Sequence, residues 1–419
     1  MSLKPGDINL ASNNDLMTVG GGVPYDYFAV LRREAPVFWN PPPTDGATVF
    51  EIADTYEPIG FWVLSKHEDV MLASKDTDRF SAWENSVLWI DMKQSEMAIA
   101  SQRSGLMGMD PPQHTGFRRL VQPGFTPRQI KALEPHIREQ AAKVIGELAE
   151  RDEAEFVFDV AAELPMMLLC ELMGVPQERR REYLELGNAT ASFEFNDDFV
   201  ADQMNLFVLL DDIVKSVTDA PDDTLISRYV HGEVDGRKLA PEEITMFFQT
   251  LSIAGHETTR NTTAHFVRLM DEHPDQKALL LEDLEARLPN AIEEVLRFSP
   301  PVMQFCRTAT EDVELRGQTI AEGDKVYMSY ISANRDEDVF DDPDRFDVLR
   351  PNADKHLAFG YGAHYCLGAS LARLQLRCVL TELYTQLPDI SLAGDPTPLY
   401  SVWFNALDEM PVRTCPVAH

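Results

Sequence analysis

Phe359-Gly360-Tyr361-Gly362-Ala363-His364-Tyr365-Cys366-Leu367-Gly368 leads directly into a helical run, Ala369–Leu380. A single cysteine thus stands in a glycine-punctuated loop just ahead of a helix. Glycine lets the backbone turn sharply and lie close against a large flat group with no side chain in the way. Amides at the start of the following helix favour a thiolate over a thiol. A lone cysteine is more often a small buried hydrophobe, and Cys170, Cys306, Cys378 and Cys415 read that way. The flanking glycines take Cys366 out of that class. His364 nearby raises zinc, but structural zinc takes four ligands, usually as two spaced pairs, and no second pair exists. A thiolate held in such a loop suits an axial ligand of haem iron, where its electron density favours O–O cleavage.

The rest of the composition narrows the setting. A chain of 419 residues with a 44% hydrophobic fraction can bury a sizeable core, as one large domain or two ordinary ones. Five cysteines without paired spacing argue for a reducing compartment. Met1–Leu16 is polar and lacks an apolar signal core, and the most apolar window, Leu164–Val175, is short and broken by Pro165 and Glu171. A soluble, cytoplasmic protein is expected. The formal charge of −32 repels nucleic acid and anionic membrane surfaces, so neither is expected as a partner.

Most of the chain reads as helix. Pro135–Ala149, Glu178–Leu186 and Ala201–Val217 carry apolar residues at spacings of three and four. Pro241-Glu242-Glu243 is a good helix start, with proline in the first turn and acids against the dipole. The pattern runs on to about His273, ahead of Pro274, a span of about 48 Å. Gly60–Ser65 reads as a strand, and Val313–Leu315 and Lys325–Met328 read as strands of a small sheet around Arg316-Gly317 and Gly323. Pairing these distant strands would tie the N-terminal region to the C-terminal half. The expected architecture is one domain, residues 1–419, mainly α with a small β-rich lobe.

Three further segments carry chemistry. In Leu251-Ser252-Ile253-Ala254-Gly255-His256-Glu257-Thr258-Thr259 the long helix is interrupted by a glycine, followed by an acid and two hydroxyls. Glycine permits a bend and a close approach, and threonine can back-bond to a carbonyl and deform the turn. Small ligands and water can sit at such a place. Glu294-Val295-Leu296-Arg297 puts opposite charges on one helical face, ahead of Ser299-Pro300-Pro301. Met109-Asp110-Pro111-Pro112-Gln113-His114-Thr115-Gly116-Phe117-Arg118 opens a helix with His114 and Arg118 facing one way.

From roughly Gly60 onward these motifs resemble the haem-thiolate monooxygenases of the cytochrome P450 superfamily. The resemblance implies the cytochrome P450 fold and haem b (iron protoporphyrin IX), with Cys366 as iron ligand and Gly255, Phe359 and Gly360 against the cofactor. By the same resemblance Thr258 hydrogen-bonds bound dioxygen and Glu257 relays protons to it. His114, Arg118, Arg307 and His364 match its propionate contacts, a task suited to arginine's two-pronged donor. Glu294 and Arg297 match the superfamily's ExxR helix, a structural role. A third arginine of that network falls in Phe340–Arg350, where Arg345 and Arg350 both fit.

The substrate pocket is expected from the loop Trp83–Met92 with Trp83, Val87 and Trp89, the helices near Phe193–Phe199, and the long helix at Phe247, Thr250, Leu251 and Ala254. The strand Val302–Phe305 and Trp403-Phe404 complete it. Such a lining gains about 25 cal/mol per Å² of apolar area covered and suits a lipophilic substrate. Tyr330–Arg335 and Trp403–Val412 resemble the bacterial branch that oxidises sterol side chains, branched lipids and terpenoids, with Ala406 where that branch has glycine. A neighbouring bacterial branch acting on monoterpenes fits equally. The expected reaction inserts one oxygen atom of O2 into an unactivated C–H bond. Electrons would come from an iron–sulfur ferredoxin and its NAD(P)H-dependent reductase. Such donors are acidic, so a local basic face is required; Arg373 and Arg377 share one helical face, with Arg119, Arg128 and Lys131 nearby. Two alternatives stand beside this reading. A peroxide-using oxygenase would not need the Glu257–Thr258 relay, and a haem-based gas or redox sensor would carry an output domain.

Overall fold

The computed structural model describes residues 3–10, 23–42, 58–88, 95–191, 197–221, 224–399, 401 and 403–414. It is mainly α, with a small β-rich lobe. The long helix Pro241–Glu272 runs through the middle. Pro241 takes the first turn, and Glu243 reaches back to accept the amide of Ala240 at 2.7 Å, satisfying a donor the helix itself leaves open. Its C-terminal half packs with the helices Pro127–Ala149, Leu284–Phe298 and Ala369–Gln386 around one apolar core. Its N-terminal half packs with Gln113–Val121, Glu163–Met173 and Asp197–Asp219 around a second.

Two helices exceed their sequence reading. The expected helix Pro135–Ala149 begins at Pro127 and passes through Pro135. Proline removes one backbone hydrogen bond, but the apolar face continues across it through Ile130, Ile137, Ala141 and Ile145, all buried. The expected Ala201–Val217 extends to Asp197–Asp219. Glu178–Leu186 shifts to Arg180–Ala191, preceded by a 3-10 turn.

Five strands form the main sheet, in the order Val37–Asn40, Phe61–Leu64, Lys325–Ser329, Gln304–Ala309 and Phe80–Ser81. Val326 pairs with Trp62 in parallel register, so the N-terminal region is indeed tied to the C-terminal half. Val313–Leu315 does not join this sheet. It pairs with Gln318–Ile320 in its own hairpin. Arg316 and Gly317 both have positive φ, the turn whose twist matches a two-residue hairpin. No helix among the described residues is long and apolar enough to cross a membrane.

Candidate functional site

The cysteine loop is fixed from three sides. Gly362 has φ +71°, and a Cβ there would lie 2.6 Å from the carbonyl oxygen of Ser74, so no other residue fits. Gly360 also adopts positive φ. The Cys366 amide donates to the Phe359 carbonyl at 2.8 Å, closing the loop on itself. Arg118 donates to the carbonyls of Ala363 at 3.3 Å and Tyr365 at 2.6 Å. Burial pushes the Cys366 thiol up, while the Gly368 amide, Arg118, Arg373 and the Ala369 amide pull it down. Loop and helix start thus supply the fixed dipoles that hold a thiolate once a metal takes it.

A cavity separates this loop from the long helix, lined by Cys366, Phe359 and Gly360 on one wall and by Ala254, Gly255 and Thr258 on the other. Thr258 Oγ1 donates to the Ala254 carbonyl at 3.0 Å, and Thr262 Oγ1 to the Thr258 carbonyl at 2.8 Å. Both hydroxyls back-bond within the helix, as the sequence allowed. Gly255 has a second reason to be glycine: a Cβ there would sit 3.1 Å from Leu169 on the neighbouring helix. Glu257 is not part of the lining. Its buried carboxylate receives Arg260 Nη2 at 2.6 Å and faces His256 Nδ1 at 3.1 Å. Burial alone would raise its pKa, but Arg260 and His256 outweigh burial and hold it below the ordinary carboxylate range.

At one edge of the cavity, three distant segments bring together His114, His364 and Arg307, with Arg118 beside them. The two imidazoles lie 4.3 Å apart between centroids. Burial, with Arg118 and Arg307 adding to it against Asp110, lowers the His114 pKa to about 4. His114 Nε2, His364 Nε2 and Arg307 Nε are buried and have no hydrogen-bond partner among the described residues. Buried polar atoms are rarely left so. A flat group carrying two carboxylates, set between the thiolate and the long helix, would satisfy them. The residues present therefore fit haem, with Cys366 at the iron and this cluster at the propionates. Tyr330, which the sequence marks only as part of the branch-like segment Tyr330–Arg335 and not as a site residue, lines the cavity next to Gly360. Its signal is faint, because a tyrosine following a strand reads as core.

Behind the loop, Glu294 and Arg297 pair through two bonds of 2.7 and 2.8 Å, both side chains fully buried. The third arginine is Arg350, whose Nε lies 3.1 Å from both Glu294 oxygens. Arg345 contributes only its carbonyl, to Arg297 and Arg350.

Of the expected pocket residues, Phe247, Leu251, Ala254, Val302, Phe305, Trp403 and Phe404 line the cavity. Trp83 does not: Arg103 stacks over its ring at 4.8 Å and bonds its carbonyl at 2.7 Å, holding it in the adjoining core. Val87 is buried, and its carbonyl accepts the Cys306 amide at 2.8 Å, outside the lining. Trp89 and Phe193 fall outside the described residues. Leu106, Met107, Leu169 and Leu172 line the cavity although the sequence did not single them out. They read as ordinary apolar positions until the fold faces them inward. Arg373 and Arg377 are not free charges: Arg373 pairs with Glu293 through two 2.7 Å bonds, and Arg377 with Glu134 at 3.0 Å.

Comparison with known proteins agrees with this geometry. The family model described as Cytochrome P450 matches residues 209–386. A steroid C26-monooxygenase of Rhodococcus jostii is 39% identical, over 95% of this chain and 84% of its own length. A methyl-branched lipid omega-hydroxylase of Mycobacterium tuberculosis is 35% identical, over 97% and 94%. A Mycobacterium marinum cytochrome P450, solved in complex with pseudoionone, superposes with a TM-score of 0.88 at 35% identity, covering 97% of this chain and 98% of that one. With a cysteine loop facing the long helix across a cavity, buried imidazole and guanidinium nitrogens that no described residue satisfies, and a match over most of the length of these relatives, the chain belongs to the cytochrome P450 family and is a haem-dependent monooxygenase.

Proposed function

We propose that this monooxygenase hydroxylates an unactivated C–H bond, at or near the end of a branched aliphatic tail of a steroid or lipid. The observation that carries the reading is the cavity beyond Ala254. There Phe247, Leu251, Val302, Phe305, Trp403 and Phe404 form an apolar part of the wall of the cavity that Cys366 also lines. A tail gains about 25 cal/mol per Å² of apolar area on entering it, and little in the lining would bind a charged group there. The steroid and branched-lipid names of the relatives support the same substrate class.

Haem, when bound, supplies the binding and reductive activation of O2. The chain supplies position and protons. Ala254 and Thr258 set how closely a substrate carbon approaches the reacting centre. The Thr258 hydroxyl, which donates to the Ala254 carbonyl at the cavity wall, would turn from it to hold a proton toward the place where O2 is activated. Glu257 is held ionised by Arg260 and His256, so it must leave one of them and take up a proton before passing one on, and delivery is gated by that buried ion pair. Electrons come from a separate iron–sulfur ferredoxin and its reductase in the cytoplasm.

The test is a titration of the ferric enzyme with a steroid retaining its side chain, a methyl-branched fatty acid and a monoterpene, followed by the haem spin-state change. Turnover under 18O2 and mass spectrometry then locates the label. A spin shift with one labelled oxygen on a terminal or subterminal carbon of the branched tail is expected. A shift only with the monoterpene, or label on a steroid ring, would overturn the substrate assignment.

A further inference from the structure

One carboxylate that takes no part in the chemistry above holds both ends of the cysteine loop. Glu293, next to Glu294 on the helix Leu284–Phe298, accepts Nε and Nη2 of Arg373, each at 2.7 Å. His356 Nε2 lies 3.2 Å from the same carboxylate. The Ala358 amide donates to His356 Nδ1 at 3.0 Å, so Nε2 carries the hydrogen and donates to Glu293. Arg373 lies over the Phe359 ring at 4.4 Å, and its Nη1 reaches the Tyr365 hydroxyl at 3.5 Å. The Phe359 carbonyl in turn takes the Cys366 amide. His356 is at the entrance to the loop and Arg373 is in the helix that leaves it, and Glu293 grips the two together.

We propose that Glu293 is a positioning residue for the thiolate: through His356 and Arg373 it fixes the loop, and by neutralising Arg373 it keeps electron density on the Cys366 sulfur. This rests on Cys366 being the haem ligand. Arg373 is half-buried against the loop, over the Phe359 ring and at the hydroxyl of Tyr365, the residue before Cys366. Partly shielded from solvent there, an unbalanced charge would act on the iron more than one in open water. An unpaired Arg373 cation draws density from the sulfur and favours ferrous iron; an unpaired Glu293 anion does the reverse. A merely structural clamp predicts no such opposition of sign.

The measurement is the reduction potential and the CO-difference spectrum of the substrate-free holoenzyme, for the parent, Glu293→Gln, Arg373→Gln and the double variant. Glu293→Gln keeps shape and should raise the potential, Arg373→Gln should lower it, and the double variant should return close to the parent. The single variants should each change the ferric-to-ferrous ratio at a fixed poise by about threefold to tenfold. Shifts of the same sign, or no shift in variants that retain the red-shifted CO band, would overturn the proposal. Glu293→Asp keeps the charge and retracts it by one methylene, so it covers the case in which Glu293→Gln does not retain haem. It should hold the parental direction of potential but lose the red-shifted band faster on mild warming. Parental decay of that band sinks the clamp. A parent protein without the band would sink the ligand assignment first, and the proposal with it.

Discussion

Glu257 and Thr258 are neighbours in sequence but serve opposite sides of one helix: Thr258 opens on the cavity, whereas Glu257 is buried against Arg260 and His256. Their variants should therefore fail differently. Thr258→Ala removes a donor from the cavity and should leave reductant consumption in place, with product falling several-fold and peroxide rising. Unchanged coupling of reductant to product would remove Thr258 from the reaction. Glu257→Gln preserves shape but leaves Arg260 buried without its counter-charge, so it should lower both turnover and Tm. A turnover loss with parental Tm would separate proton delivery from packing. Another buried group governs acid stability. His265 Nε2 donates to the Asn405 carbonyl at 3.0 Å, and Arg268 Nε faces its Nδ1 at 3.3 Å. Burial, with Arg268 adding to it against the Asn405 bond, lowers its pKa to about 3. The folded state thus holds it neutral, while the unfolded chain takes up a proton below about pH 6.5. Its share of stability is complete above pH 6.5 and is lost as pH falls toward 3, at up to about 1.4 kcal/mol per unit. His265→Gln should flatten the decline of Tm between pH 6.5 and 5 relative to the parent. Parallel Tm curves would show that His265 is not the group responsible.

Elements built from local signals were legible in the sequence; those built from distant contacts were not. The cysteine loop and the long helix carry their reasons within a few residues: glycines where φ is positive, and Pro241 with Glu243 at a helix start. The helix through Pro135 was cut short in reading because proline is a local stop signal, and only packing shows that the apolar face overrides it. Val313–Leu315 has a strand composition, but which strand it pairs with is decided by the Arg316-Gly317 turn. The Glu294 network shows the same limit. Spacing gives the pair Glu294–Arg297, since both lie on one helical face. The choice between Arg345 and Arg350 depends on how the segment after Phe340 folds back, which no local pattern encodes. The structure separates them sharply: Arg350 bonds Glu294 from a buried position, and the Arg345 side chain is exposed. Arg350→Ala should therefore cost about 3–5 kcal/mol and reduce haem retention, because it strips a buried carboxylate of a partner. Arg345→Ala keeps the backbone carbonyl and should stay within about 0.5 kcal/mol of the parent. Paired unfolding curves check both, and equal losses would contradict the network as drawn.

At the scale of the whole molecule, a charge of −32 must be reconciled with the acidic ferredoxin proposed as electron donor. Composition predicts repulsion, and the sequence reading sought relief in Arg373 and Arg377. Folding pairs both with carboxylates of the same chain, Arg373 with the largely buried Glu293 and Arg377 with Glu134 nearer the surface, a fact invisible in sequence because the partners lie on other helices. Charge reversal at Arg373 would also disturb the cysteine loop, so slower reduction there would say nothing about docking. Arg119 and Arg128 are the better candidates. Both are exposed. Arg119 follows the residue that bonds the Ala363 and Tyr365 carbonyls, and Arg128 begins the helix packed against Ala369–Gln386. They thus flank the loop that carries Cys366, where the path to iron through the protein is short. Long-range repulsion from the rest of the surface is screened within about 8 Å at physiological ionic strength, so a local pair of cations can still steer an acidic partner. Arg119→Glu combined with Arg128→Glu should slow reduction by ferredoxin at low salt by about tenfold, with substrate-induced spin shift and CO band unchanged. Added salt should slow the parent and have little effect on, or even assist, the double variant. Parental reduction rates in that variant at low salt would move the docking face elsewhere, and altered CO spectra would show that the loop, not the encounter, had been disturbed.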